Sequence, residues 1–340
     1  MFFDVPSGQE SRPLFSDIPL HILERISAQV KEPVIAGETA HGGFSAGAAF
    51  SLKLQDGRKI FTKGAHPGDL SHATQNIRQE IQVYERALAS ATIAPAFLGS
   101  VSDGDEDGWH LGLWEHIDTT STSFDTDQTM AALVSAHRLS AAALHSYTDQ
   151  NYIQFFFAPD RKWQRVIQEK NAHVRAQSLF HSPEDGACWL DRAAPDFYAR
   201  QKTVTDSRFL SGLMHGDLHR DNILHGRDRT YIVDWPNACR GPVYFDVLFL
   251  AAVLESTDGT PIEKTIQAYV NAGGDAETDD NIATLAVCMA GFWIDQAGRA
   301  VPEKLPRLRW VQKSMLLALL KYLARRGMCE SIPRMANQRV

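Results

Sequence analysis

The periodicity of the apolar residues changes near residue 118, and this change limits the folds open to the chain. Before it, short segments alternate between apolar and polar residues and are joined by turn signals such as Gln55-Asp56-Gly57. From about residue 124 onward, apolar residues recur at helical intervals, as Met130, Leu133 and Val134 do. The sequence therefore predicts a bilobal α+β fold, with an N-terminal antiparallel sheet lobe carrying one helix and a larger, mainly helical C-terminal lobe.

The two predicted domains are residues 1–118, a β-rich lobe, and residues 119–340, a helical lobe. Residues 1–18 are predicted to be a loose leader, because they show no periodicity. The predicted strands are 33–38, 48–54, 58–63, 96–102 and 109–117. A short helix, 18–30, precedes the sheet. The other predicted helices are 73–89, 126–145, 160–176, 187–206, 242–255, 261–272, 279–297 and 304–326.

The composition is that of a globular protein without a nucleic-acid partner. Of the 340 residues, 44% are hydrophobic and 22% are charged, and the net charge of −7 weighs against binding to nucleic acid. Four cysteines lie far apart without a CxxC pair, which predicts reduced thiols rather than disulfides or a zinc ribbon. The apolar stretches are too short to span a bilayer, and the N-terminus is unlike a signal peptide. The sequence therefore predicts a cytoplasmic protein without a membrane partner.

The most specific motif is His215-Gly-Asp-Leu-His-Arg-Asp-Asn222, followed by Tyr231-Ile-Val-Asp234. Its spacing is that of a kinase catalytic loop, in which an Asp accepts the proton of the substrate hydroxyl and an Asn five residues later holds Mg²⁺. Asp217 is therefore the predicted catalytic base, and Asn222 and Asp234 are the predicted ligands of Mg²⁺ bound to ATP. Zinc binding by the nearby histidines is disfavoured, because carboxylates suit Mg²⁺ better.

A Gly-rich segment between two predicted strands is the candidate for enclosing phosphate groups. The backbone of Gly42 and Gly43 and the hydroxyl of Ser45 can approach phosphate oxygens in such a hairpin. A flexible β-turn without a ligand accounts for the same glycines equally well.

Lys63 ends the strand that follows and is the predicted contact of the α- and β-phosphates. Its predicted partner is an acid on the next helix, where Glu80 and Glu85 are the choices. Glu80 is favoured because it lies among apolar residues, whereas Glu85 is expected to meet solvent.

The motif 215–222, with Val233-Asp234-Trp235 and Gly241-Pro-Val-Tyr-Phe-Asp246, resembles the aminoglycoside phosphotransferase and choline kinase superfamily. The resemblance covers roughly residues 33–325, and it implies the protein-kinase-like fold of these small-molecule kinases. The protein-kinase motifs HRD, DFG and APE are absent as written, which disfavours a protein kinase.

The resemblance also implies roles for residues that spacing alone does not assign. Glu115 and Ile117, at the end of the last strand of the first lobe, are expected to contact adenine through their backbone. His215 and Asp246 are expected to support the catalytic loop through hydrogen bonds to its backbone.

The acceptor is expected to bind to the helical lobe. Asp295 and Gln296, late in a predicted helix, are candidate contacts, although ordinary packing or solvation accounts for them as well. The basic character of helix 304–326 disfavours an aminoglycoside, whose ammonium groups are typically held by acidic side chains in such enzymes. The sequence leaves open an antibiotic, an amino alcohol or a sugar, a role in antibiotic resistance or in metabolism, ATP or GTP as donor, and the oligomeric state.

Two classes of function remain. The first is an ATP- and Mg²⁺-dependent kinase that phosphorylates a hydroxyl of a small molecule. The second is a nucleotide-binding pseudokinase that acts as a scaffold or sensor. The presence of Lys63, Asp217, Asn222 and Asp234 together favours the enzyme.

Overall fold

The computed structural model describes residues 1–4, 12–40, 47–68, 73–104, 108–119, 124–149, 153–158, 162–205, 208–303 and 305–338. The helices in chain order are α1 (Leu20–Val30), α2 (Ala73–Val83), α3 (Thr126–His137), α4 (Gln154–Phe157), α5 (Trp163–Gln168), α6 (Lys170–Gln177), α7 (Pro183–Gln201), α8 (Tyr244–Asp258), α9 (Ile262–Asn271), α10 (Asp279–Ala297) and α11 (Leu308–Arg325). The strands are β1 (Val34–Thr39), β2 (Ala48–Leu54), β3 (Lys59–Ala65), β4 (Phe97–Ser102), β5 (His110–Glu115), β6 (Ser211–Met214), β7 (Ile223–His225), β8 (Thr230–Ile232) and β9 (Cys239–Pro242).

The N-terminal strands form one antiparallel sheet with the order β1-β2-β3-β5-β4. Period-two alternation turns one side of β2 into the core, so that Phe50, Leu52 and Leu54 are fully buried. Helix α1 contributes Ile22 and Ile26 to the same core. Burial of each such side chain contributes about 1.5–3 kcal/mol, and this layer therefore stabilises the sheet around its central strand β3.

The position of β3 at the centre of the sheet determines the surroundings of Lys63. In the register, Lys63 lies opposite Ala49 of β2 and opposite Gly112 of β5. At the next residue, Gly64, a Cβ atom would lie 1.9 Å from the carbonyl oxygen of His110, so only glycine fits there. The two strands therefore approach closely beside Lys63.

Helix α2 turns one face toward the core of the sheet. Its buried residues Ile77, Glu80 and Val83 recur at helical spacing. The helix continues into a π-helical segment, Tyr84–Leu88, in which Tyr84 and Leu88 are buried. The sequence predicts one regular helix over 73–89, and the widened last turn is a feature that apolar spacing does not reveal.

The chain divides into two compact units. The sheet unit consists of residues 10–144 and 221–238, and the helical unit consists of residues 1–9, 145–220 and 239–340. The described part of the expected loose leader is packed: Phe3 bridges to Gln338, and the Phe15 ring meets the Phe50 ring edge-on at 6.4 Å. The functional division after residue 118 stays a prediction.

The helical unit is built on helices that are buried on most of their sides. Helix α8 buries Phe245 and Val247, which point to opposite sides of the helix, and the ring of Phe156 stacks on that of Phe292 at 3.9 Å in the aromatic core. Helix α11 packs against both α8 and α10. Such all-round burial accounts for the long apolar runs in this part of the sequence.

Several predicted helices differ from the observed ones, and two of them differ in where the helix ends or breaks. The helix predicted over 126–145 ends at His137, and the one predicted over 160–176 is divided into α5 and α6 at Glu169, which is extended. Neither Gly nor Pro stands at Glu169, so the sequence carries no signal for this break. The predicted α+β class, with an antiparallel N-terminal sheet and a helical C-terminal part, is confirmed. Among the described helices, none has the length and apolarity needed to cross a bilayer.

Candidate active site

Lys63 and two carboxylates of the sheet unit form a cluster of three charged side chains. The Lys63 Nζ atom lies 2.9 Å from an oxygen of Glu80 on α2 and 2.5 Å from Oδ1 of Asp234, which follows β8. The second oxygen of Glu80 accepts a hydrogen bond of 3.1 Å from the backbone N–H of Trp235. One buried carboxylate thereby links strand β3, helix α2 and the segment after β8.

The electrostatics of this cluster keep Lys63 charged. Burial alone lowers the pKa of Lys63, but attraction by Asp234 and Glu80 outweighs it, and the pKa is raised well above its ordinary value. Burial raises the pKa of Glu80, although Lys63 opposes this shift. The Lys63 ammonium also lies 5.7 Å from the centre of the Trp114 ring, at cation–π distance.

Asn222 and Asp234 flank the open end of the hairpin formed by β7 and β8, where Asp234 lies one residue beyond the position opposite Asn222. Ile223 pairs with Ile232, and the backbone N–H of Val233 donates to the carbonyl of Asn222 at 2.9 Å. Asp234 has a φ of 71°, in the left-handed region that non-glycine residues rarely occupy. Residues with such a strained backbone conformation are often found at functional sites. There the conformation directs a side chain to a position that regular secondary structure would not give it.

The loop that carries Asp217 belongs to the helical unit, and Asp246 holds its backbone through hydrogen bonds. The two oxygens of the fully buried Asp246 accept the backbone N–H groups of His215 at 2.7 Å and Gly216 at 2.8 Å. Nδ1 of His215 accepts the backbone N–H of Asp217 at 3.2 Å, so the imidazole carries no proton on that nitrogen. With a φ of 86°, Gly216 needs the freedom of glycine to make this turn.

The end of β5 presents backbone groups beside the sheet. The N–H of Glu115 donates to the carbonyl of Ala96 at 2.9 Å, while the N–H of Ile117, two residues on, makes no hydrogen bond to any residue that the structure describes. Glu115 lines a cleft of about 470 Å³ together with Tyr84 and Tyr231. Gly42, Gly43 and Ser45 of the Gly-rich segment lie outside the described residues.

Asp295 is more enclosed than the sequence suggests. Its side chain is 1% exposed, and its oxygens lie within ion-pair distance of Arg165, Arg175 and Arg299. Gln296 donates a hydrogen bond of 3.1 Å to the same carboxylate. A carboxylate so engaged is not an open ligand for an ammonium group, and an acceptor contact at these two residues stays a prediction.

Sequence reasoning missed two contributors to the Lys63 cluster, Trp114 and the backbone of Trp235. Trp114 looks like an ordinary core residue of a strand, and a backbone N–H has no sequence signature. The signal available for Trp235 is its position directly after Asp234 in the Val233-Asp234-Trp235 segment.

The side-chain oxygens of this site are donors of the kind that Mg²⁺ accepts. Within the described residues, no group of three or more His, Cys, Asp or Glu side chains is placed to hold a metal. Asp234 and Asn222 offer hard oxygens from the two strands at the open end of this hairpin. Mg²⁺ is typically held by one or two such ligands, with substrate phosphates and water completing its coordination.

The fold is shared with solved kinases of small molecules. A spectinomycin phosphotransferase in complex with ADP and spectinomycin matches with a TM-score of 0.61 at 12% identity, over 92% of this chain and 99% of that one. A thermostable mutant of an aminoglycoside phosphotransferase, in a ternary complex with ADP and hygromycin B, matches with a TM-score of 0.54 at 13% identity, over 88% and 98%. Choline kinase LicA from Streptococcus pneumoniae matches with a TM-score of 0.53 at 16% identity, over 89% and 98%. The chain has no significant match among curated protein sequences.

The antiparallel sheet, the helical part and these structural matches together show that the protein has the kinase-like phosphotransferase fold. The model of the phosphotransferase enzyme family matches residues 40–280, which is well over half of the chain. The chain belongs to this family, as its motifs predict.

Proposed function

We propose that the protein is an ATP- and Mg²⁺-dependent phosphotransferase that moves a γ-phosphoryl group to a hydroxyl of a small molecule. The observation that carries the proposal is the charged triad of Lys63, Asp234 and the buried Glu80, with Asn222 on the hairpin that leads to Asp234. A kinase needs this combination of a fixed lysine and hard oxygen ligands, because its catalysis rests on positioning and charge neutralisation.

The sheet lobe, residues 1–118, is proposed to bind the nucleotide. Lys63 contacts the α- and β-phosphates, and Glu80 keeps its ammonium in place. The unbonded N–H of Ile117 and the backbone of Glu115 contact adenine, which offers both a donor and acceptors at its edge. Gly42, Gly43 and Ser45 are proposed to cover the phosphates.

Asn222 and Asp234 are proposed to hold Mg²⁺. When bound, the ion neutralises charge on the phosphate oxygens as the phosphoryl group moves. Asp234 is suited to this role because its left-handed backbone turns the carboxylate toward Lys63, at the place where phosphate charge accumulates. The raised pKa of Lys63 keeps a positive charge beside that carboxylate over the physiological pH range.

Asp217 is proposed as the catalytic base within the lobe 119–340. The acceptor oxygen forms the new bond to phosphorus, the bond between phosphorus and the ADP oxygen breaks, and the hydroxyl proton passes to the Asp217 carboxylate. His215 and Asp246 hold the backbone of the loop, so the base does not have to be ordered during the reaction.

The deciding experiment measures ATP consumption across a panel of aminoglycosides, macrolides, nucleosides, choline-like amines and sugars, with and without Mg²⁺. We expect turnover that depends on both Mg²⁺ and one acceptor class. The Asp217→Asn variant should bind nucleotide normally and show no turnover. Acceptor-dependent turnover that persists in this variant, or in a metal-free preparation of the natural protein, would contradict the proposal.

A further inference from the structure

Helix α10 ends in a cluster of arginines around one buried carboxylate. Arg299 Nη2 lies 2.7 Å from Oδ2 of Asp295, while Arg165 Nη1 and Arg175 Nη2 lie 3.4 Å and 3.6 Å from Oδ1. Asp295 is buried, whereas the three guanidinium side chains are 28%, 31% and 40% exposed. Solvent therefore reaches the arginines but not the acid between them.

Local structure brings these residues together from three helices. Arg299 follows Asp295 by four residues, so both lie on the same side of the end of α10. Gly298 stands at the C-cap, and a Cβ there would lie 2.7 Å from the backbone oxygen of Arg175 at the end of α6. The glycine thus permits the contact that places Arg175 beside Asp295. The interruption between α5 and α6 adds Arg165 to the same group.

The charges in the cluster do not balance. Arg309 is a fourth member, because its Nε donates a hydrogen bond of 3.0 Å to the carbonyl of Ala300, the residue directly after Arg299. Asp295 and Glu169, which Arg165 binds through Nε at 3.0 Å, are the acids paired with the group. Four guanidinium groups against two carboxylates leave an excess of two positive charges among the described residues.

The hydrogen-bonding capacity of the cluster is also not fully used. The Nε atom of Arg175 is buried and makes no hydrogen bond to any described residue. The Oδ1 atom of Asp295 is likewise buried without a hydrogen bond, although two guanidinium groups stand near it. A buried donor without a partner is unfavourable, and a ligand that accepts its hydrogen bond removes this penalty.

We propose that Arg165, Arg175, Arg299 and Arg309 form a binding site for an oxyanion, namely a phosphate, sulfate or carboxylate group of a small molecule. Guanidinium groups bind such anions with parallel hydrogen bonds and remain charged at any relevant pH. Asp295 is a positioning residue in this site: it holds the arginines in one place without neutralising them. The site requires no nucleotide and goes beyond the proposed phosphoryl transfer.

Binding of inorganic phosphate, sulfate and glycerol phosphate to the full-length protein tests the proposal, by calorimetry without nucleotide and at constant ionic strength set with chloride. Arg299→Gln and Arg175→Gln should each weaken binding by about tenfold, the effect of one charge-assisted hydrogen bond. Glu169→Gln should tighten binding, because it releases Arg165 from its partner at a half-exposed position. If glycerol phosphate bound more tightly than phosphate, the site would bind an anionic group that is part of a larger molecule. If the two bound equally, the site would bind a free inorganic anion.

Two matched variants test whether the anion binds at this cluster and not at another cationic position of the chain. Arg192→Gln removes the same charge from an exposed pair with Glu330 and should leave anion affinity unchanged. Lys63→Ala removes the proposed phosphate contact of the nucleotide site and should also leave it unchanged. A purely structural cluster would lower the melting temperature in the Arg299 variant without altering anion affinity. That result, absence of binding by the natural protein, or loss of binding in Lys63→Ala would overturn the proposal.

Discussion

Replacement of Glu80 by Gln tests whether the buried carboxylate organises the Lys63 cluster. The amide keeps the shape of the side chain and its carbonyl can still accept the Trp235 N–H, but the negative charge 2.9 Å from Lys63 is lost. Lys63 then keeps Asp234 as its acidic partner, and its ammonium is drawn toward that residue. We expect weaker nucleotide binding and a less stable protein.

The magnitude follows from the contacts that remain. Removal of one partner from a buried ion pair costs about 3–5 kcal/mol when the other charge is left alone. Here Asp234 still compensates Lys63, and the neutral amide avoids the desolvation that raises the pKa of Glu80. We therefore expect the free energy of unfolding to fall by the contribution of one hydrogen bond to a charged group, about 1.5–3 kcal/mol. Nucleotide affinity should fall by about tenfold, since about 1.4 kcal/mol of it depends on a fixed Lys63.

Chemical denaturation and calorimetric titration with ADP and Mg²⁺ measure the two effects. The control is Glu85→Gln, which makes the same change on the exposed side of the adjacent turn. If the two variants had the same free energy of unfolding and the same affinity for nucleotide, the role assigned to Glu80 would be refuted. If Glu80→Gln lowered the free energy of unfolding as expected but left the affinity for nucleotide unchanged, Glu80 would have only a structural role.

Three further predictions concern other residues. Asp246→Asn should slow turnover by at least about tenfold and cost about 1.5–3 kcal/mol, because one of its two bonds to the loop backbone is lost; kinetics and denaturation check this. Asp234→Asn should remove the Mg²⁺ dependence of ADP binding in calorimetry, and an unchanged metal response would exclude Asp234 as a ligand. Hydrogen bonding from Arg200, together with Arg208, holds the pKa of Asp280 below its usual range. The contacts of ionised Asp280 with these arginines stabilise the fold above the unfolded pKa of about 3.9 and are lost as the carboxylate is protonated at lower pH. The melting temperature should therefore fall less between about pH 5 and pH 3 in Asp280→Asn than in the natural protein.

Much of the sheet can be predicted because its signals are local. The turn at 55–57 and the alternation along β2 identify two strands, and the observed β2 has the predicted bounds, Ala48–Leu54. Helix α10 is likewise predicted at its observed bounds, Asp279–Ala297. The division of α5 from α6 is not predictable, because it depends on packing against other helices and leaves no Gly or Pro in the sequence.

The candidate site was predictable to different degrees. The apolar residues around Glu80 favour it over Glu85 as the partner of Lys63, and in the structure Glu80 is the residue that contacts Lys63. Asp295 illustrates the opposite case. Arg299 follows it at helical spacing, but Arg165 and Arg175 are distant along the chain, Arg165 by 130 residues, and no periodicity connects these two with Asp295.

The sequence by itself determined the reaction class to be expected, because the spacing from Asp217 to Asn222 and Asp234 is a property of one short segment. It also determined the order of strands and helices, since amphipathic patterns are local. Only the tertiary structure decided which charges meet: Lys63 with Asp234, 171 residues apart, and Asp295 with three arginines. Electrostatic energies depend on distance and burial in space, and neither quantity can be read from positions along the chain.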